Sequence, residues 1–245
     1  MKFISVPELA STNTYLASIA DKSEPYTVVV ADRQTAGRGQ RGNSWEAEPG
    51  KNLTFSVLLK PEHVKAADQF IISQAVSVAI AVTLSKRIRY AGEVAVKWPN
   101  DIYVDNQKIC GILIENSLMG DKISRSIVGV GLNVNQKVFT SGAPNPVSLI
   151  HIIGEPTDRF ALLKDVCAAI ERHVEAIANP EKREEIVEMY KSILWRSEGM
   201  HKYAIPGGET FMAAIEDISP AGYLFLRDDK GEIRKFAFKE VQYIL

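Results

Sequence analysis

The sequence predicts an α+β fold, a mixed β-sheet with helices on one side followed by a small all-β module. Three observations predict it. The first two-thirds of the 245 residues alternate strand-like and helix-like runs. Some of these strands follow one another through tight turns and others through helices, which mixes antiparallel with parallel pairing. From Met200 onward helical patterns give way to short strand runs separated by turn residues. A boundary at Arg196 divides the chain into residues 1–196 and 197–245. The tail, at roughly 50 residues, is too small to hold much core alone.

Each element has a local reason. Residues 3–6 read as a short strand, and Ser11-Thr12-Asn13 then supplies N-cap chemistry for a helix to about Ala20. Residues 27–31 are a β-branched run suited to a buried strand. A loop rich in Gly and charge fills 33–52 before a strand at 53–59. Residues 66–89 are apolar on nearly all sides, at Phe70, Ile71, Ala75, Val78, Ala79 and Val82, and read as a core helix. A strand at 94–97, a tight Trp98-Pro99-Asn100-Asp101 turn and a hairpin with arms 102–104 and 108–115 follow. Residues 126–134 form another strand. Leu163, Val166, Ile170, Val174 and Ile177 mark a helix over 158–178, and Asn179-Pro180 starts a second one ending near Ile193. The tail contributes strands at 209–218, 223–227 and 233–238.

Composition narrows the function. With 29 Lys+Arg against 30 Asp+Glu the formal charge is −1, and 46% hydrophobic with 24% charged residues is an ordinary globular mix. A nucleic-acid binder normally shows a basic excess, which is missing. Cys110 and Cys167 cannot make a disulfide framework and fit a reducing, cytoplasmic setting. Pro7 and Glu8 arrive before a signal-peptide h-region can form. The longest apolar stretch, 71–84, is interrupted by Ser73, Gln74 and Ser77 and falls short of the ~18 residues a membrane span needs. His63, His151, His173 and His201 lack metal-ligand spacing, so no protein-ligated metal is expected.

Four segments concentrate chemistry. In Gly37-Arg38-Gly39-Gln40-Arg41-Gly42-Asn43-Ser44-Trp45, three glycines let backbone N–H groups approach a ligand, and two arginines offer fixed cationic forks for phosphate or carboxylate. Taken alone such a loop is more often simply solvated. It is not a Walker A loop, lacking a Gly-Lys-Ser/Thr ending, and no helix follows to make it a dinucleotide fingerprint. Lys97-Trp98-Pro99-Asn100-Asp101 brings a cation, an amide and a carboxylate to one turn, though Pro, Asn and Asp also build purely structural turns. Lys108-Ile109-Cys110-Gly111-Ile112-Leu113-Ile114-Glu115 places a Gly inside an apolar strand, which costs stability unless something must pass close by. Gly129-Val130-Gly131-Leu132-Asn133-Val134-Asn135 repeats that feature. Cys110 reads as a small buried hydrophobe.

Together with Ser11-Thr12-Asn13, these segments resemble the biotin–protein ligases, in order and in register over residues 11–135. The resemblance implies a class II synthetase-like biotin/lipoate ligase fold with an SH3-like C-terminal domain. It implies ATP-dependent conversion of biotin to biotinyl-5′-AMP, with Mg²⁺ accompanying ATP, and transfer of biotin to a lysine of the biotin carboxyl carrier domain of a biotin-dependent carboxylase.

By that resemblance Arg38 and Lys108 neutralise developing phosphate charge and Asp101 handles the incoming amine. Ser11, Thr12, Asn13, Gln34, Arg38, Gly39, Gln40, Lys108, Gly111 and Leu113 surround biotin, with Leu132 as a further wall. Arg41, Trp45, Asn100 and Asn133 take ATP, Trp45 stacking on adenine. Gln40 and Asn43 stand where bacterial members frequently carry Arg, so the loop has two cations rather than four. Ser11 lies too early for a preceding helix-turn-helix domain, so DNA is not an expected partner, nor is a membrane; a homodimer is left open. Two rival readings remain open on the sequence, a lipoate or octanoate ligase and a non-catalytic biotin sensor.

Overall fold

The computed structural model describes residues 1–40, 43–89 and 91–244. Among these, twelve strands build two sheets. The larger contains β1 (Lys2–Leu9), β2 (Thr27–Gln34), β3 (Leu53–Leu59), β4 (Val94–Lys97), β5 (Asp101–Val104), β6 (Gln107–Met119) and β7 (Lys122–Leu132). Their spatial order is β1-β2-β3-β7-β6-β5-β4. β1 and β2 run parallel, joined through α1 (Thr12–Ile19), and every other pair is antiparallel.

Side-chain alternation along β3 explains the layering. All seven of its residues are buried, so both faces of the sheet are covered there. Phe55, Val57 and Leu59 enter the main core with α2 (Phe70–Ile88) and α4 (Arg159–Ala176), while Leu58 points the other way and packs on Leu16 of α1. Leu149 of α3 (Leu149–Ile153) and Ile186 and Tyr190 of α5 (Pro180–Ser192) join the main core. Four helices thus share one face, as expected, and α1 is the exception. It buries Leu16 against Val29, Leu58 and Ile127 and, with eight residues, covers only part of its face. The uncovered remainder is where the cavity lies.

The helix boundaries follow capping chemistry. The Asp158 carboxylate accepts from the amides of Phe160 (2.9 Å) and Ala161 (3.1 Å) to open α4. Asn179 accepts from Lys182 N at 3.1 Å, with Pro180 at the first helical position of α5. The Ala66–Ile88 segment is apolar and long enough to cross a membrane by composition, but α2 is wedged between the sheet and α4 and α5 with most of its residues buried.

The smaller sheet contains β8 (His201–Ala204), β9 (Thr210–Ile218), β10 (Leu224–Asp228), β11 (Ile233–Phe236) and β12 (Gln242–Tyr243), in the order β11-β10-β9-β8-β12 and antiparallel throughout, an SH3-like arrangement. The β10–β11 turn is closed by Asp228, whose carboxylate accepts from the amides of Lys230 and Glu232. β8 and β12, four and two residues long, were not anticipated, because neither is long enough to show alternation. Several contacts tie this sheet to the larger one. The Trp98 indole donates to Gly222 O at 3.1 Å, Arg196 donates to Ile244 O at 2.8 Å, and Trp195 lies between Tyr103 and Tyr243.

Candidate functional site

The floor of the cavity is made by missing side chains. On β6 and β7 the residues facing α1's side include Gly111 opposite Gly131 and Leu113 opposite Gly129. A Cβ on Gly129 would collide with the Asn13 amide, and one on Gly131 with the Trp45 indole. These glycines therefore let Asn13 of α1 and the Trp45 ring sit close to the sheet. Above them opens a cavity of about 670 Å³, within the range of a small-molecule site.

One end of the cavity is a closed polar network. Gln34 at the end of β2 accepts from Thr12 N at 2.8 Å, taking one of the helix's unpaired donors. The nominal Ser11 cap bond to Thr14 N is long, at 3.5 Å. Ser56 Oγ, on the cavity face of β3, lies 2.6 Å from Asn13 Oδ1 and 2.8 Å from Thr12 Oγ1. Asn13 Nδ2 donates to Glu115 at 2.7 Å, and the Arg38 guanidinium pairs with the same carboxylate at 3.0 Å. Each polar tip is oriented by the next, so the end of the cavity is pre-shaped for a compact polar group.

The middle holds the strongest charges. Lys108 Nζ sits 2.7 Å from Asp101 Oδ2, both side chains partly exposed to the cavity. The turn before Asp101 is fixed from three sides, because Ser73 and Tyr190 hydroxyls donate to Pro99 O and the Trp98 indole to Gly222 O. Trp45 lies against Gly111 and Gly131 with Lys108 Nζ 5.6 Å from its ring, and its buried indole N–H lacks a partner among the described residues. Lys97 is committed elsewhere. Its ammonium lies 5.1 to 5.3 Å from the rings of Tyr103, Trp195 and Tyr243 and donates to Tyr103 Oη at 3.1 Å. Burial lowers its pKa despite the nearby Asp101.

At the other end, residues 139–146 form a wall without helix or strand. Asn133, at the end of β7, donates to Val147 O at 3.0 Å, and its buried Oδ1 has no partner among the described residues. That leaves a buried acceptor without a donor in a residue that lines the cavity. The Asn100 amide is engaged by its own sheet, donating to Ile112 O.

The profile of the biotin/lipoate A/B protein ligase family matches residues 6–133. The chain belongs to that family. It is 31% identical over 171 residues to the bifunctional ligase/repressor BirA of Bacillus subtilis, covering 67% of this chain and 51% of that protein. It is also 31% identical to the biotin–[acetyl-CoA-carboxylase] ligase of Paracoccus denitrificans, covering 66% of this chain and 68% of that one. The chain thus spans about half the length of the BirA relatives it matches. Among solved structures, the biotin protein ligase of Aquifex aeolicus in complex with biotin and ATP superposes with a TM-score of 0.79, at 26% identity and over 99% of both chains.

The structure brings the residues singled out by family resemblance into one place. Ser11, Thr12, Asn13, Gln34, Arg38, Gly39, Gln40, Trp45, Asn100, Asp101, Lys108, Gly111, Leu113 and Asn133 all line the cavity. Leu132, also expected there, is fully buried in the main core, because alternation along β7 turns it away from Gly131. Arg41 lies outside the described residues. Sequence reasoning overlooked Ser56, Glu115, Glu46 and Gln136. Polar residues alternating with apolar ones in Leu53-Thr54-Phe55-Ser56-Val57 were a usable signal for Ser56. Glu115 closes a segment already singled out, but its role depends on partners distant in sequence.

Proposed function

We propose that this family member joins biotin to ATP, forming biotinyl-5′-AMP, and then transfers the biotinyl group to a lysine of a biotin carboxyl carrier protein. One observation carries the reading: a single continuous cavity runs from the Asn13–Glu115–Arg38 network, past the Lys108–Asp101 pair, to the unpaired Asn133 oxygen. Its polar end matches a ureido ring, its far end a nucleobase, and its middle the point where carboxylate and α-phosphate must meet. The printed names of the relatives and of the ligand-bound Aquifex aeolicus structure support the same assignment.

In the first step a biotin carboxylate oxygen attacks the α-phosphorus, and the bond to pyrophosphate breaks. Two anions approach each other, so cations at the meeting point lower the barrier. Lys108 supplies one. Arg38 supplies another after leaving Glu115, a cheap exchange because a half-exposed ion pair is worth only about 0–1 kcal/mol. In the second step the acceptor amine, having lost a proton, attacks the acyl carbon and AMP departs. Asp101, beside Lys108 in the cavity, takes the role of orienting that amine or receiving its proton. Mg²⁺ comes with the triphosphate as part of the substrate. Among the described residues, no group of three His, Cys, Asp or Glu side chains is placed to hold a metal.

The test is incubation with ATP, Mg²⁺, an apo carrier domain and labelled biotin or lipoate. Biotin label on the carrier supports the reading. Lipoate label would favour a lipoate ligase, and adenylate without transfer would favour a sensor. Self-association and a cytoplasmic setting belong to the same proposal. Sedimentation with and without biotin and ATP tests the first, and the buried thiols of Cys110 and Cys167 agree with the second.

A further inference from the structure

The wall formed by residues 139–146 needs something to hold it, since no helix or strand does. Its far end is tied to the sheet, with Lys108 N donating to Asn145 O at 2.8 Å and Val147 N to Lys108 O at 3.0 Å. Its near end has Phe139 edge-on to the His151 ring at 6.3 Å, and the polar groups of the next two residues are tied by one side chain. The Glu46 carboxylate, directly after Trp45, accepts from Thr140 N at 2.8 Å, Thr140 Oγ1 at 3.1 Å and Ser141 N at 2.8 Å. Among the described residues, every hydrogen bond made by Thr140 and Ser141 ends on Glu46.

Glu46 is itself braced. Gln136 Nε2 lies 3.3 Å from its Oε1 and donates to Val138 O at 2.8 Å. Gln136 Oε1 accepts from Glu48 N at 2.9 Å and Asn52 Nδ2 at 2.5 Å. The carboxylate therefore joins two stretches that both line the cavity, residues 43–46 and the 139–146 wall.

We propose that Glu46 is a positioning residue for the nucleotide end of the cavity, pinning residues 140 and 141 to the ligand loop so that the wall is in place when ATP binds. The inference rests on the proposed ligase reading for the identity of the ligand, but not for the existence of the latch. Burial alone would raise the Glu46 pKa. The hydrogen bonds from Ser141 and Thr140 together outweigh it and hold the group at about 2, so the latch is ionised at neutral pH.

The test compares Glu46→Gln, Glu46→Asp and wild type in two assays. In the first, adenylate formation, Glu46→Gln is expected to raise the KM for ATP about tenfold, the order set by losing hydrogen bonds to a charged acceptor. The KM for biotin should stay within about twofold, because no contact of Glu46 reaches the Asn13 end, and Glu46→Asp should restore part of the ATP affinity. In the second, limited trypsin cleavage after the exposed Lys137 should be several-fold faster in Glu46→Gln, with ATP slowing it in wild type. Unchanged KM values, parallel rises for ATP and biotin, or equal cleavage rates would overturn the proposal. Should wild type form no adenylate, the ligase reading fails, and the cleavage comparison alone still decides the latch.

Discussion

Lys108 and Asp101 are each other's counter-ion at 2.7 Å, so a phosphate arriving at Lys108 competes with Asp101 for one ammonium. Removing the cation by Lys108→Ala should slow biotinyl-AMP formation by about a hundredfold or more, the usual cost of deleting an electrostatic stabiliser. Normal single-turnover adenylation in that variant would refute the role. Asp101→Asn should leave adenylation largely intact and slow transfer to the carrier. Equal slowing of both steps would mean that the carboxylate serves mainly to hold Lys108. Glu46 yields a pH expectation. Its folded pKa of about 2 lies below the ordinary 4.5, so its contribution is complete above 4.5 and is lost only as pH falls toward 2. The ATP KM should therefore show no inflection from this group over roughly pH 5 to 8, and Glu46→Gln should lose acid sensitivity only in the lower window. At this scale the sequence was informative wherever chemistry clustered locally, as in Ser11-Thr12-Asn13 or Lys97 to Asp101. Ser56, Glu115 and Gln136 escaped notice because their partners lie 43 to 102 residues away. Lys97 could be seen as a cation but not as a caged one, since two of its three rings, Trp195 and Tyr243, come from the far end of the chain.

β6 and β7 act as a platform whose height is set by glycine. Gly129→Ala pushes a methyl into the Asn13 amide, and overpacking of this kind costs about 1–3 kcal/mol. The expected result is a roughly ten- to hundredfold loss of biotin affinity by titration calorimetry, with secondary structure unchanged by circular dichroism. Wild-type affinity would show that Asn13 can retreat without consequence. Most elements were legible because their cause is local: β3 is a short, mostly apolar run between a Gly-rich loop and Pro61, α2 is apolar on nearly all sides, and α5 starts at Asn179-Pro180. What local pattern could not supply was side. α1 lies opposite the other helices because its few apolar residues find Val29, Leu58 and Ile127, a match decided by strand alternation elsewhere in the chain. The 139–146 wall carried no periodic signal at all, and its ties, the Glu46 carboxylate at one end and the Lys108 backbone at the other, come from distant parts of the chain.

The two sheets share one continuous apolar core, in which Tyr203, Leu224 and Phe236 of the smaller sheet belong to the same cluster as α2 and β3. Unfolding should therefore be one cooperative event, with far-UV circular dichroism and fluorescence coinciding across a urea titration. Two separated transitions would show that the C-terminal sheet folds as an independent unit. Tyr243→Ala removes a ring packed on Tyr203, Trp195 and the Lys97 ammonium, and should cost about 3 kcal/mol or more in the same titration. The chain's three tryptophans also occupy different districts of the molecule. Trp45 lies in the cavity beside Lys108, while Trp98 and Trp195 are buried at the seam between the sheets. The protein therefore carries two optical reporters, and single-tryptophan variants should tell occupancy of the cavity from opening of the seam by emission wavelength, without any added dye.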